Sequence, residues 1–222
     1  MTKPPSLTSP ISRRTFGALG ALPAAMAAGV VTPANAQETA APAGPVMNHL
    51  IGTIYQVCFV VTDLEAAVKH WTEKLKIGPF LMFENFTFTD PDGASLPTNI
   101  SLALAYSGDN FIELIKLNSG RPTIYDAVTD TGGGFHHLAK LTNDLDASIA
   151  EAEAAGHPLA FLGHFEPDAR LAYVDARSTY GGYMEYVEYN ETIAGLLHYM
   201  RAGAESWDGV TPTMPFPEAP PE

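Results

Sequence analysis

The chain contains two copies of one short pattern, and this internal repeat constrains its fold more than any other feature. Residues 55–68 (YQVCFVVTDLEAAV) align with residues 136–149 (HHLAKLTNDLDASI) at an offset of 81 (136 − 55), which places Asp63 on Asp144. In each copy an apolar run precedes the start of a helix. Self-similarity of this kind predicts two copies of one supersecondary unit that pack together.

A second match closes each copy. Residues 111–118 (FIELIKLN) align with residues 183–190 (YMEYVEYN) at an offset of 72 (183 − 111), and both alternate in the way that strands do. We therefore predict an α+β fold of two tandem β-α-β-β-β modules. The predicted segments are modules at about 53–118 and 135–190, intervening strands at about 80–89, 99–107, 158–165 and 170–176, and a C-terminal helix at about 191–204.

The first 36 residues are typical of an export signal. They contain three basic residues and no acidic one (Lys3, Arg13 and Arg14). The segment SRRTFG at 12–17 is similar to a twin-arginine signal, and the uncharged stretch behind it ends in the small-x-small motif Ala34-Asn35-Ala36. We expect residues 1–36 to be removed after passage through the twin-arginine export machinery. The mature chain would then begin near Gln37, lie in the periplasm or be secreted, and start with a linker at 37–49.

The charge balance excludes one class of partner. The sequence has 12 Lys and Arg against 25 Asp and Glu, and loss of the signal changes the net charge from −13 to (12 − 3) − 25 = −16. Such an acidic chain is unsuited to nucleic acid, whose affinity for proteins depends on neutralising phosphates with basic residues.

We expect no stable membrane span in the mature form. A single cysteine, Cys58, excludes an intrachain disulfide.

Four polar residues occupy equivalent positions on apolar strand faces. Gln56 corresponds to His137 at the offset of 81, and Glu113 corresponds to Glu185 at the offset of 72. Burying a carboxylate without a partner costs several kcal/mol, so two such glutamates require a compensating cation. An amide oxygen, an imidazole nitrogen and two carboxylates suit a divalent metal such as Zn, Ni, Mn or Fe, and the sequence does not choose among these.

The whole arrangement resembles the vicinal oxygen chelate superfamily. The resemblance extends over about residues 50–190, within a predicted domain at 50–206, and it is carried by the segments IYQVCFVVTDLEAAVKHW, IGPF, FIELIKL, GGFHHLAKLTNDLDA and GGYMEYVEY. It implies a cupped mixed sheet around a metal and substrate site, with Gln56, Glu113, His137 and Glu185 as the ligands. This set resembles the metal site of glyoxalase I in some organisms, whereas epimerases of the family usually have His in place of Gln56.

The resemblance also implies a function. It predicts a metal-dependent lyase, isomerase or epimerase that binds two neighbouring oxygens of a small metabolite and stabilises an enediolate or enolate, with Glu185 as both ligand and catalytic base. One alternative is a non-catalytic binding or resistance protein of the same fold. A third interpretation, a ring-cleaving dioxygenase, is weakened because only one histidine lies in the ligand set. The family fold is compatible with a homodimer.

Several neighbouring residues have simpler interpretations. Strand alternation predicts that His136 points away from His137, and that Glu188 is a surface charge on the face opposite Glu185. Cys58 is interpreted as a core residue. The tail at 207–222 is rich in proline, which predicts disorder, and the sequence does not decide whether Trp207 covers a groove or ends the fold.

Overall fold

The computed structural model describes residues 47–165 and 169–216. The predicted signal peptide, linker residues 37–46 and tail residues 217–222 lie outside the described residues. The strands are β1 Ile54–Val60, β2 Phe80–Thr89, β3 Ser95–Ser107, β4 Asn110–Ser119, β5 Gly134–Thr142, β6 Leu159–Phe165, β7 Ala169–Ala176, β8 Gly182–Glu188 and β9 Thr213–Met214. The helices are α1 Leu64–His70, which continues as a π-helical turn over Trp71–Leu75, α2 Asp126–Asp130, α3 Leu145–Ala154, α4 Arg177–Tyr180 and α5 Glu191–Glu205.

The repeated sequence forms the same local structure twice. The Asp63 side chain accepts a hydrogen bond from the Ala66 backbone N–H at 3.0 Å, and the Asp144 side chain accepts one from Ala147 at 2.9 Å. Each aspartate thereby satisfies an N–H group that the first helical turn leaves unpaired. Both helices therefore begin at the same position of the repeat.

The strands form one mixed sheet in the order β3-β4-β1-β5-β8-β7-β6-β2-β9. The strand β2 also pairs with β3, so the sheet closes on itself through β2, which meets β6 at Thr89 and His164. The two modules join where β1 and β5 run antiparallel, and each of these strands has a parallel neighbour, β4 or β8. The predicted α+β class with a curved mixed sheet is confirmed.

The pairing register obeys the repeat residue by residue. Cys58 pairs with His137, and Gln56 pairs with Ala139. Cys58 and Ala139 are 81 residues apart (139 − 58), as are Gln56 and His137 (137 − 56), so the repeat maps each pair onto the other. In the parallel ladders Cys58 pairs with Glu113 and Ala139 pairs with Glu185. A pseudo-twofold axis therefore passes between β1 and β5 and relates Gln56 to His137 and Glu113 to Glu185.

The two faces of the sheet have separate cores. The inner face packs aromatic and aliphatic side chains against α5, which contributes Ile193, Leu197 and Met200. On the outer face, α1 packs Leu64 and Val68 against β3 and β4. Among the described residues, no helix combines the length and apolarity needed to cross a membrane.

The prediction of a disordered tail is wrong for residues 207–216. Thr213 and Met214 form β9, which pairs in parallel with Phe80 and Leu81, and the Phe216 ring lies 5.0 Å from that of Phe83. A two-residue edge strand needs few N–H donors, so neighbouring prolines do not prevent it.

Trp207 packs against the chain outside the inner core. A Cβ atom at Gly78 would meet the Trp207 ring at 3.0 Å, so a side chain at that position would press against the indole. The indole N–H donates to the Thr211 carbonyl at 2.7 Å. Trp207 therefore fixes the start of the terminal segment rather than covering the inner face.

Candidate metal centre

Four side chains meet on the inner face of the sheet where the two modules join. The Gln56 Nε2 atom donates to Glu113 Oε2 at 3.0 Å and lies 3.4 Å from both His137 Nε2 and Glu185 Oε2. The His137 Nε2 atom lies 3.2 Å from Glu113 Oε2 and 3.1 Å from Glu185 Oε2. The structure thus brings together all four residues that the sequence predicts as ligands.

All four side chains are buried. Their exposed fractions are 6% for Gln56, 7% for Glu113, 0% for His137 and 5% for Glu185. The sheet achieves this because β1 and β5 place Gln56 and His137 on either side of the pseudo-twofold axis, while β4 and β8 add one glutamate each. The group lies on rigid central strands rather than on loops, which favours a fixed geometry.

Two buried carboxylates around one imidazole dominate the electrostatics. Burial lowers the pKa of His137, but the charge of Glu185 and hydrogen bonds with Glu113 and Glu185 outweigh it and raise this pKa to about 9. The two glutamates therefore hold a positive charge at the point where they converge. One ligand atom from each of Glu113, His137 and Glu185 lies within 4.8 Å of the others, which is a suitable arrangement for a divalent cation. The Gln56 amide adds a fourth group with an oxygen as well as an N–H.

The prediction that His136 points away from His137 is wrong. The strands β1 and β5 pair through Cys58 with His137 and then Phe59 with Phe135, which leaves His136 as an extra residue in a β-bulge. The bulge interrupts the alternation of side chains. The Nδ1 atoms of His136 and His137 consequently lie 2.8 Å apart.

This contact fixes which nitrogen of His137 faces the glutamates. The His136 Nε2 atom lies 3.1 Å from the Ile124 carbonyl oxygen, which can only accept, so Nε2 carries the proton. Burial, followed by the charge of His137, lowers the pKa of His136 to about 3, so this imidazole is neutral and its Nδ1 is an acceptor. The Nδ1–H of His137 must therefore donate to His136. In its neutral form, His137 then presents the lone pair of Nε2 to the centre.

Aromatic side chains surround the two histidines. Tyr125 stacks on His136 with ring centroids 4.7 Å apart, and Tyr173 meets His137 edge-on at 5.0 Å. Burial, and then the charge of Glu113, raises the pKa of Tyr125, and the interaction with the Tyr173 hydroxyl partly offsets this rise. Burial also raises the pKa of Tyr173, so both phenols keep their protons.

The sequence pattern does not mark these tyrosines as part of the site. Tyr125 lies in the connection between the modules, directly before α2, where glycine and proline indicate a linker. Tyr55 is predicted only to pack, yet it lines the site and is the bulged residue equivalent to His136 (136 − 55 = 81). The offset of 81 relates the two positions, but it does not mark either of them as a bulge.

A cavity opens above the four polar side chains. It contains about 710 Å³ of space between atoms, including open solvent at its mouth, and Glu113 and Glu185 lie among its lining residues. Its walls come from β2, β3, β7 and α5 and are largely apolar. A concave, mainly apolar cavity with a few convergent polar groups is the usual form of a small-molecule site.

Two other residues have the simple roles that the sequence predicts. Cys58 is a buried free cysteine. Burial, and then the charge of the adjacent Glu113, raises the pKa of its thiol, so Cys58 is not an activated nucleophile. Glu188 occupies the opposite strand face from Glu185 and pairs with Arg170 at 3.3 Å.

Comparisons with known proteins agree with this architecture. A family model described as the Glyoxalase/Bleomycin resistance protein/Dioxygenase superfamily matches residues 55–173, which is more than half of the chain. No curated protein matches the sequence.

Solved structures with similar folds include methylmalonyl-CoA epimerase from Mycobacterium tuberculosis, with 19% identity over 66% of this chain and 93% of that chain and a TM-score of 0.47. A hypothetical protein from Bacillus halodurans has 19% identity over 62% of this chain and 94% of its own, with a TM-score of 0.46. A Streptomyces coelicolor methylmalonyl-CoA epimerase variant in complex with 2-nitronate-propionyl-CoA has 19% identity over 61% and 95%, with a TM-score of 0.41.

Proposed function

The chain belongs to the Glyoxalase/Bleomycin resistance protein/Dioxygenase superfamily, and we propose that it is a metal-dependent lyase, isomerase or epimerase that moves a proton on a small oxygenated metabolite. The observation that carries this proposal is the convergence of Glu113, His137 and Glu185, with Gln56, beneath an apolar cavity. The superfamily typically uses a divalent metal, and the donor atoms of these four residues fit one.

The fit of a metal follows from the charges at the centre. Without a cation, two buried carboxylates rely on the proton of His137 for compensation. A divalent cation would replace that proton, bind the Nε2 lone pair, and supply a Lewis acid for two adjacent substrate oxygens. The candidate metals are Zn, Ni, Mn and Fe, since all four accept mixed nitrogen and oxygen ligands.

Glu185 is the proposed catalytic base. The two glutamates are related by the pseudo-twofold axis, but their hydrogen bonds differ. Glu113 accepts from Gln56 at 3.0 Å and from the Cys58 thiol, whereas the corresponding Gln56 contact of Glu185 is 3.4 Å. Fewer donors hold the Glu185 carboxylate, so it is freer to take a proton from a substrate carbon in the cavity that it lines.

A binding or resistance protein of the same fold is the second candidate, because the cavity could hold a ligand without chemistry. A ring-cleaving dioxygenase is less well supported. It requires a second histidine ligand, and both nitrogens of His136 already face other groups, namely His137 and the Ile124 carbonyl.

We also propose that the protein acts outside the cytoplasm. The support is the twin-arginine-like segment at 12–17 and the motif Ala34-Asn35-Ala36. Export of a folded chain would allow a metal to be inserted before the protein crosses the membrane.

Solvent proton exchange tests the enzymatic proposal. The metal-loaded mature chain is incubated in D₂O with hydroxyacetone or 2-hydroxyacetophenone, and proton NMR follows the loss of the signal from the CH₂ group beside the carbonyl. We expect catalysed exchange of at least one of these compounds. Glu185→Gln should slow it by about 10²-fold or more while keeping the fold, because an amide cannot act as a base.

Glu188→Gln is the matched control, since it makes the same chemical change on the opposite strand face and should alter the exchange rate less than twofold. An unchanged rate in Glu185→Gln, or an equal loss in Glu188→Gln, would refute the role of Glu185. Binding of both compounds without any exchange would instead favour the binding protein.

A further inference from the structure

We infer that the natural substrate is an uncharged molecule about the size of one aromatic ring, with an apolar body and two neighbouring oxygens at one end. This inference rests on the proposed function, because it assigns the oxygens to the centre formed by Glu113, His137 and Glu185. The apolar body is assigned to the cavity above that centre.

The walls of the cavity are apolar on both sides. Phenylalanines from β2 and β6 and apolar side chains from α5 contribute to them. The residues concerned are Phe83, Phe86, Phe165, Leu196, Leu197 and Met200. Rings and branched aliphatic side chains gain most when they exclude water from another apolar surface, so these walls favour an apolar ligand.

The enclosed space suits a small ligand. The cavity contains about 710 Å³ of space between atoms, and this volume includes open solvent at its mouth. The part enclosed by protein is therefore smaller, and one substituted ring fits within it.

Charge excludes anionic ligands from the same space. Among the described residues that line the cavity, the charged side chains are Glu113 and Glu185, and none is a lysine or arginine. An anionic group on the ligand body would lose its hydration without gaining a cationic partner. The predicted mature chain, with a net charge of −16, also repels anions.

The polar groups of the cavity gather at its floor. Tyr125 stacks on His136, Tyr173 meets His137 edge-on, and Gln56 bonds to Glu113. The buried Tyr125 hydroxyl lines the cavity beside the Tyr173 hydroxyl and can donate a hydrogen bond to a ligand oxygen. A ligand is therefore oriented with its oxygens towards the centre and its apolar part among the apolar walls.

Four small probes separate the features of this substrate class. They are 2-hydroxyacetophenone (ring, two oxygens, neutral), hydroxyacetone (the same oxygens without the ring), 4-(hydroxyacetyl)benzoate (ring and the same oxygens, with a carboxylate on the far side of the ring) and acetophenone (ring, one oxygen). Their dissociation constants are measured on the metal-loaded mature protein by calorimetry. We expect 2-hydroxyacetophenone to bind at least about tenfold more tightly than each of the other three, because only it satisfies both the walls and the floor.

A variant in the wall changes the preference in a defined direction. Leu196→Lys places a cation beside the ligand body, and we expect it to lower the affinity ratio of 2-hydroxyacetophenone to 4-(hydroxyacetyl)benzoate by at least about tenfold. His198→Lys, on the exposed side of α5, places a lysine on the same helix without lining the cavity and should leave the ratio unchanged. Circular dichroism and metal content verify that both variants are folded.

The outcomes distinguish this inference from the proposed function. Equal or tighter binding of hydroxyacetone or 4-(hydroxyacetyl)benzoate by the wild-type protein would overturn the inference, even if the protein catalyses proton exchange in them. The expected ranking without proton exchange in any probe would support the inference and count against the enzymatic proposal.

Discussion

Replacing His136 by phenylalanine tests how the protein fixes the metal-facing nitrogen of His137. A phenylalanine ring can keep the stacking on Tyr125, which has a centroid distance of 4.7 Å, but it cannot accept the hydrogen bond from His137 Nδ1 at 2.8 Å. His137 then loses the interaction that holds its proton on Nδ1. The variant therefore separates the hydrogen bond from the packing.

The size of the effect follows from burial. Both histidines are almost fully buried, with exposed fractions of 1% and 0%. A buried donor left without a partner costs about 1–3 kcal/mol. Loss of a group that orients a histidine ligand typically weakens metal binding by about 10- to 100-fold. We expect a loss of affinity in this range, together with a lower melting temperature because the Ile124 carbonyl also loses its donor, which lies at 3.1 Å.

The assay is competition for zinc between a chelator and the protein, at a temperature where circular dichroism shows that the variant is folded. Nitrogen-15 NMR of the histidine rings reports the tautomer directly, and in the metal-loaded wild type it should show a proton on His137 Nδ1. His70→Phe removes an exposed imidazole from α1 and serves as the control. A zinc affinity in His136→Phe equal to that of the wild type, or a proton on His137 Nε2 in the loaded wild type, would refute the reasoning.

Three further predictions concern the metal, the tail and export. Removing the metal with a chelator should lower the melting temperature by about 5–10 °C relative to protein in free metal at 100 times its dissociation constant. The reason is that binding to the folded state alone stabilises the protein by about 2.7 kcal/mol at that concentration. An unchanged melting temperature would count against a resident metal. Phe216→Ala should destabilise the protein by about 1–2 kcal/mol in urea unfolding, because it removes the ring that packs on Phe83 at 5.0 Å, whereas a disordered tail would give no change. Substituting Arg13 and Arg14 with lysine should leave the unprocessed chain in the cytoplasm, and Met1 or Thr2 at the N-terminus of exported wild-type protein would contradict the predicted cleavage near Gln37.

The repeat makes most of the fold predictable from the sequence. Two gapless matches locate the first and last strands of each module, and strand alternation places Gln56, Glu113, His137 and Glu185 on one face. The structure brings these four together because the pairing of β1 with β5 obeys the same offset of 81 that relates Gln56 to His137.

The exceptions arise where regular alternation fails. The bulges at Tyr55 and His136 add one residue to a strand, and an extra residue leaves no mark on a pattern of alternating polarity. The position of Tyr125 depends on how the connection between the modules folds back over β5, which local sequence does not determine. In the tail, five prolines indicate disorder, but Trp207, Met214 and Phe216 supply apolar contacts that outweigh this composition.

The most direct test of the proposed metal centre is a crystal structure of the mature chain from its native compartment, with anomalous diffraction at metal absorption edges and metal analysis of the same sample. The proposal predicts one divalent ion per chain, bonded to Glu113, His137 and Glu185, with distances of about 2.0–2.2 Å if the metal is zinc. It further predicts that Gln56 turns its amide oxygen towards the ion. A fully metal-free protein in which His137 keeps both of its protons between the two glutamates would contradict the metal centre.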